Sequence, residues 1–157
     1  MVNQKILLGR SEEVILPELG KAASYARVDT GAKTSAIWVS SVREVGNTLQ
    51  VVFYGKGSPL YTGKTVVFQE YAETVVASSN GAAERRYKVK LLVEIGGKRI
   101  RAWFTLADRS SQVYPILVGR NVLRGRFVVD VSLGAEALIS AEKSRSMHLQ
   151  KHRKESK

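Results

Sequence analysis

Residues 89–106, VKLLVEIGGKRIRAWFTL, constrain the fold more tightly than any other stretch. Two runs rich in β-branched and aromatic residues flank Gly96-Gly97, and a two-residue glycine link joins such runs as a tight antiparallel hairpin. The same grammar repeats along the chain. Strand-like runs are expected at 5–8, 14–16, 25–28, 37–45, 49–54, 65–68, 73–77, 114–118 and 127–131, with turn dipeptides at Gly46-Asn47 and Asn80-Gly81. Helical patterning is confined to a turn or two at 120–124 and to the segment 135–147. Many short strands at close spacing predict an all-β chain, closed as a barrel or folded as a sandwich.

With 157 residues and 44% hydrophobic content, one domain with a real core is expected over 1–135. Residues 136–157 read as a basic C-terminal extension, helical or flexible, with six Lys or Arg against three Glu. The whole chain carries 25 basic and 14 acidic side chains, a net charge of +11. Such a field favours acidic partners: nucleic acid, a ribosomal surface, anionic lipid or an acidic peptide. The absence of cysteine excludes disulfides and thiolate metal sites and suits a reducing compartment. The first twenty residues have no long apolar stretch and meet Glu12 and Glu13 early, unlike a signal peptide. No run approaches the roughly 18 apolar residues of a membrane span. A cytoplasmic protein without membrane attachment is the expectation.

Two motifs carry chemistry. ARVDTGAKTSAIW, residues 26–38, takes an apolar strand into Asp29-Thr30-Gly31-Ala32; YPILVGRNVL, residues 114–123, takes another into Gly119-Arg120-Asn121. Asp-Thr-Gly alone is ordinary turn material. In this order, and with the glycine hairpin just before the second motif, the pair resembles the retropepsins, the single-domain aspartic proteases. The likeness is closer to the bacterial retropepsin-like endopeptidases of RimB type, some of which bear the label ATP-dependent zinc protease. Their DTGAKTSA core and late GRxxLxGRFxVDVS segment stand here at Asp29 to Ala36 and at Gly119 to Ser132. The resemblance covers roughly residues 10–133. It implies a closed acid-protease barrel, with a short helix after Gly119-Arg120-Asn121, acting as an aspartic endopeptidase without a cofactor.

The chemistry of that family explains the motif. Two carboxylates about 3 Å apart share one proton, so that one activates water as a base while the other protonates the carbonyl oxygen. This chain has three aspartates, Asp29, Asp108 and Asp130, and Thr-Gly follows Asp29 alone. One chain therefore supplies half a dyad, and a second copy related by a two-fold axis must supply the other Asp29. The resemblance implies that Thr30 hydrogen-bonds across that axis, that Gly31 allows close backbone approach, and that Arg120 sits beneath the loop as part of an interface ion-pair network. Gly119 and Asn121 would shape its turn. The hairpin around Asn80-Gly81 stands where retropepsins carry the flap that closes over substrate.

Residues just after the Asp-Thr-Gly turn face the peptide in retropepsins; here they are Ala32, Lys33 and Thr34, and Arg85 and Arg86 follow the flap tip. Basic groups along a cleft favour acidic side chains. The family is linked to RimK-type ligases, which add glutamates to the tail of a small-subunit ribosomal protein, so trimming a polyglutamate tail is the expected task. The alternative is a non-catalytic basic β-barrel that binds RNA or the ribosome. Trp38, Tyr54, Tyr61, Tyr87 and Trp103 are the aromatics it would use, and scattered spacing assigns them to core packing instead. Two further motifs are set aside. The stretch from Gly57 to Gly63-Lys64-Thr65 has five residues between its glycines where a phosphate loop needs four, and a strand follows it. His148 and His152, in HLQKH, lack the Glu of a metalloprotease helix, so no metal is expected.

Overall fold

The computed structural model describes residues 4–77 and 80–134. The extension at 136–157 and the helical segment expected at 135–147 lie outside the described residues. Eleven strands run through the described part: β1 Ile6–Leu8, β2 Ser11–Val14, β3 Ser24–Val28, β4 Ser35–Val45, β5 Thr48–Phe53, β6 Thr65–Phe68, β7 Ala72–Ala77, β8 Ala83–Ile95, β9 Lys98–Ala107, β10 Ile116–Val118 and β11 Phe127–Val129. A single α-helical turn, α1 Arg120–Leu123, follows Gly119 as the resemblance implied. The fold is all-β.

The main sheet runs in the order β2-β3-β10-β4-β9-β8-β7. Strand β4 belongs to two layers. Its first half lies between β10 and β9, with Ile37 opposite Ile116 and Ser35 beside Phe104. A register shift between Val39 and Ser41 then turns its second half towards β5, which also pairs with β6. The core fills the space between these layers. Phe104, Ile37, Leu49, Leu91, Val89 and Ile116 are among its largest fully buried side chains. Strands β1 and β11 form a small parallel pair, with Ile6 opposite Phe127.

The expected closed barrel is not formed. Edge strand β2 approaches β8 through one bridge, in which Ile15 N donates to Glu94 O (3.1 Å) and Glu94 N donates to Ile15 O (2.8 Å). Antiparallel continuation would next pair Pro17 with Leu92, and proline has no N–H to donate. The chain instead turns through a 3₁₀ segment, Pro17–Leu19. There a Glu18 carboxylate oxygen accepts the Leu92 N–H at 2.6 Å. A side chain thus covers the β8 edge where a ladder would have closed the sheet.

Tyr54 is buried on this scaffold with a positive φ of 61°. Its N–H donates to Trp38 O at 2.8 Å, and a Cβ on neighbouring Gly55 would stand 2.7 Å from the Trp38 ring. Burial pushes the Tyr54 hydroxyl up to about 12, against a smaller opposing effect of its hydrogen bond with Ser24. A folded-state value above the unfolded one favours the neutral phenol in the native protein. Its contribution to stability is complete below pH 10 and is lost as pH rises to 12. Urea midpoints should therefore fall less between pH 10 and pH 12 in Tyr54→Phe than in the parent chain; parallel declines would contradict the assignment.

Candidate active site

β3 alternates buried Ser24, Ala26 and Val28 with the less buried Tyr25 and Arg27, and the chain leaves the strand at Asp29. Asp29 is still tied to β10, its N–H donating to Val118 O at 2.9 Å. Its Oδ1 accepts the Gly31 N–H at 2.9 Å, which folds the Asp-Thr-Gly turn over its own carboxylate. Among the described residues, Oδ2 makes no hydrogen bond. The Asp29 side chain is half-buried, and Thr30 is exposed with its hydroxyl unpartnered within the described chain.

The second motif locks this turn from behind. Arg120 N donates to Ala32 O at 2.8 Å, and Arg120 Nη1 donates to the carbonyls of Thr30 and Gly31, each at 3.3 Å. Arg120 thus braces the loop through backbone carbonyls of the same chain, and it makes no ion pair among the described residues. Gly119 has no special φ; its value is −101°. It must be glycine because a Cβ there would stand 2.5 Å from Thr34 O and 2.9 Å from Ala32 O. Ser35 sits in the same knot. Its Oγ accepts the Gly119 N–H at 3.0 Å and donates to Asn121 Oδ1 at 2.8 Å. Asn121 Nδ2 in turn donates to Trp103 O at 2.9 Å. Asn121 therefore joins α1 to β4 and β9, a role that the sequence alone did not disclose.

The other expected residues fall in different places. Lys33 is exposed at the loop tip, with Ala32 and Thr34 half-buried on either side. Arg85 is exposed and pairs with Glu73 across the β7–β8 hairpin at 3.5 Å. Arg86 is less exposed; its guanidinium meets Glu84 at 3.2 Å, while its Nε is buried without a hydrogen-bond partner in the described chain. The hairpin base is held by Glu44, whose two carboxylate oxygens accept the hydroxyls of Tyr71 (2.9 Å) and Tyr87 (3.0 Å). This hydrogen bonding raises both phenols above their ordinary value.

Two basic residues escaped the sequence reading. Arg27 occupies the position two before Asp29, on the same face of an extended chain. Arg109 lies in the loop after β9, and its Nε donates to Tyr114 O at 3.1 Å. Burial, followed by repulsion from Arg86 and Arg27, pulls the Arg109 guanidinium down to about 10, while Asp29 acts in the opposite sense. Strand alternation could have singled out Arg27. Nothing in the local pattern around Arg109 marks it.

The other two aspartates are committed elsewhere. Asp108 Oδ1 accepts the Ser110 N–H at 2.9 Å. Asp130 Oδ1 accepts both the hydroxyl (2.6 Å) and the N–H (2.9 Å) of Ser132, which hold its carboxyl below the usual range. A shallow pocket of about 270 Å³ opens beside the Asp-Thr-Gly turn, lined by Thr30, Arg120, Leu123 and Phe127 among others. Of the aromatics, Trp38 and Tyr54 are buried. Trp103 carries Lys88 and Lys90 over its ring, each 5.1 Å from the centroid, a placement that competes with base stacking. His148 and His152 lie outside the described residues, and no helix among those residues is long and apolar enough to cross a membrane.

An Asp-Thr-Gly turn interlocked with a Gly-Arg-Asn turn on an all-β scaffold defines the retropepsin-like class. Residues 7–137 match the RimB-like family, described as retropepsin-like aspartic endopeptidase RimB, and the chain belongs to that family. Among curated proteins it is similar to a "Probable alpha-L-glutamate ligase" of Shewanella pealeana, with 29% identity over 136 residues, 84% of this chain and 30% of that protein. A protein of the same description from Parasynechococcus marenigrum is 29% identical over 133 residues, 82% of this chain and 28% of its own length. The chain thus spans about a third of the length of these relatives. A Legionella pneumophila protein of unknown function, known from its crystal structure, shares the fold with a TM-score of 0.65 at 22% identity, over 85% of this chain and 98% of that one.

Removing the Ser35 hydroxyl should leave the Gly119 N–H and Asn121 Oδ1 unsatisfied. Ser35→Ala is expected to cost about 1–3 kcal/mol in chemical denaturation, and Gly119→Ala more, because the obstructing atoms are backbone. Loss of less than about half a kcal/mol from both would show that the two turns are not mechanically coupled.

Proposed function

We propose that this chain is one half of an aspartic peptidase that hydrolyses peptide bonds at a site completed by a second copy of itself. The observation that carries the reading is the state of Asp29: one oxygen is held by Gly31, the other makes no hydrogen bond among the described residues, and Arg120 braces the turn. Asp108 and Asp130 each cap a turn of their own. A two-fold axis beside the exposed Thr30 would set two Asp29 carboxylates together, with Thr30 hydrogen-bonding across it.

The pair would hold one proton between them. The ionised Asp29 takes a proton from water, whose oxygen attacks the carbonyl carbon; the protonated Asp29 donates its proton to the carbonyl oxygen. Collapse of the tetrahedral intermediate expels the amine. The β7–β8 hairpin, anchored at its base by Glu44, would act as the flap. The substrate we infer is an acidic peptide such as the glutamate-tailed end of a ribosomal protein, met in the cytoplasm. Support comes from the charge of +11 and from the named relatives, glutamate ligases that contain a region like this chain. A peptidase of this specificity would remove what such a ligase adds.

Asp29→Asn should lower turnover of an oligoglutamate peptide by at least 10³-fold while sedimentation still reports a folded dimer. EDTA should leave the rate intact. Hydrolysis by a strictly monomeric protein, or full activity in Asp29→Asn, would sink the proposal.

A further inference from the structure

The hairpin of β7 and β8 leaves the main sheet at Lys88. From Lys88 to Ile95, β8 pairs with β9. Upstream of Lys88 its ladder partner among the described residues is β7 alone, from Ala72 opposite Lys88 to Ala77 opposite Ala83. No residue of β7 is buried, and none from Ala83 to Lys88 is. A two-stranded hairpin with no buried face is marginally stable by itself in water. The ion pairs Arg85–Glu73 and Arg86–Glu84 join the hairpin to itself and not to the rest of the molecule.

Glu44 supplies the missing tie. It stands on β4 opposite Leu49 of β5, and the buried Leu49 stands opposite Phe68 of β6. Phe68 meets the Phe53 ring edge to face, with centroids 6.0 Å apart, so β4, β5 and β6 form a packed support. From that support, Glu44 Oε1 accepts the hydroxyl of Tyr71, the residue before β7, at 2.9 Å. Oε2 accepts the hydroxyl of Tyr87, the residue before Lys88, at 3.0 Å. One carboxylate thereby grips both arms of the hairpin on the line where they depart. The two rings meet edge to face at 6.0 Å and pack against the rim of the core. A second tie, Lys90 to Glu70 at 3.0 Å, joins exposed groups, and such pairs contribute little. Strand β4 also carries Ser35 at its start, in the knot behind the Asp-Thr-Gly turn. A single strand holds the acid-bearing loop at one end and the hairpin near the other.

We propose that Glu44 is a positioning residue: through Tyr71 and Tyr87 it fixes the angle at which the β7–β8 hairpin stands from the sheet, and so how closely the hairpin covers a bound peptide. The covering role rests on the peptidase reading; the latch itself does not. A carboxylate suits the place because each of its oxygens accepts one phenol, so that each hydroxyl carries part of the effect.

The test uses the full chain. Hydrogen exchange is followed by mass spectrometry in the parent, Glu44→Ala, Tyr71→Phe and Tyr87→Phe, with tryptic cleavage after Arg85 and Arg86 as a second probe. Glu44→Ala should speed exchange over 72–77 and 83–87, and cleavage there, about fivefold, while 98–106 changes less than twofold. Tyr71→Phe and Tyr87→Phe should each give part of that rise, and neither should add to it once Glu44 is replaced. Glu44→Gln keeps an acceptor oxygen and should restore part of the protection. Glu94→Gln removes the same charge at the other end of β8 and should leave the hairpin within twofold of the parent. In cleavage of labelled hexaglutamate, Glu44→Ala should raise KM about fivefold with kcat changed less than twofold. A general loss of structure would instead lower kcat and the melting temperature together.

Parent-like exchange in Glu44→Ala overturns the latch, as does an equal rise in Glu94→Gln. A loosened hairpin with unchanged KM overturns the positioning role. A hairpin loosened by Glu44→Ala in a protein whose parent cleaves no peptide upholds the latch and overturns the peptidase reading. Should Glu44→Ala not fold, Tyr71→Phe and Tyr87→Phe decide by the same readouts.

Discussion

The close approach of Gly119 to the carbonyls of Ala32 and Thr34 is the contact on which the rest of the site depends. It brings together two turns separated by most of the chain, and it leaves no room for a side chain between them. Once the backbones touch, polar groups are trapped and need partners. Ser35 satisfies the Gly119 N–H, Asn121 satisfies Ser35, and the Trp103 carbonyl satisfies Asn121. Arg120 then closes the outer side by donating to Thr30 and Gly31. The loop that carries Asp29 is held by hydrogen bonds from three directions, which is how a half-buried carboxylate keeps one orientation on an otherwise exposed turn.

That rigidity has a cost in completeness. Among the described residues the Asp-Thr-Gly turn holds one carboxylate, Asp29, and the cation that reaches the turn is Arg120. The proposed two-fold site follows from that single carboxylate, which has no acid beside it with which to share a proton. The open sheet fits the same picture, because the free stretch of β8 is covered by the Glu18 carboxylate instead of by strand pairing with the chain after β2. Pairing with another chain is discouraged there.

Local chemistry made much of the fold legible. The Gly96-Gly97 hairpin, the strands before both motifs and the helical turn after Gly119 stand where residue patterns put them. β2 begins earlier than the apolar run suggested, at Ser11, because Ser11 to Val14 pair with Arg27 to Ser24 of β3, a contact that apolar patterning does not mark. β8 extends back to Ala83, since its first residues pair with β7 across a polar hairpin that hydrophobicity does not mark. Whether the barrel closes is not legible locally, because closure depends on whether two distant edges meet, and Pro17 keeps them from pairing further.

By itself the sequence determined an all-β chain, one Asp-Thr-Gly turn and the family to which it belongs, because turn residues and strand alternation act over a few neighbours. Tertiary structure alone decided that Gly119 must be bare, that Asn121 ties α1 to β4 and β9, and that the Arg120 guanidinium reaches the carbonyls of Thr30 and Gly31. Those facts depend on close approach between distant parts of the chain, and no local pattern encodes it.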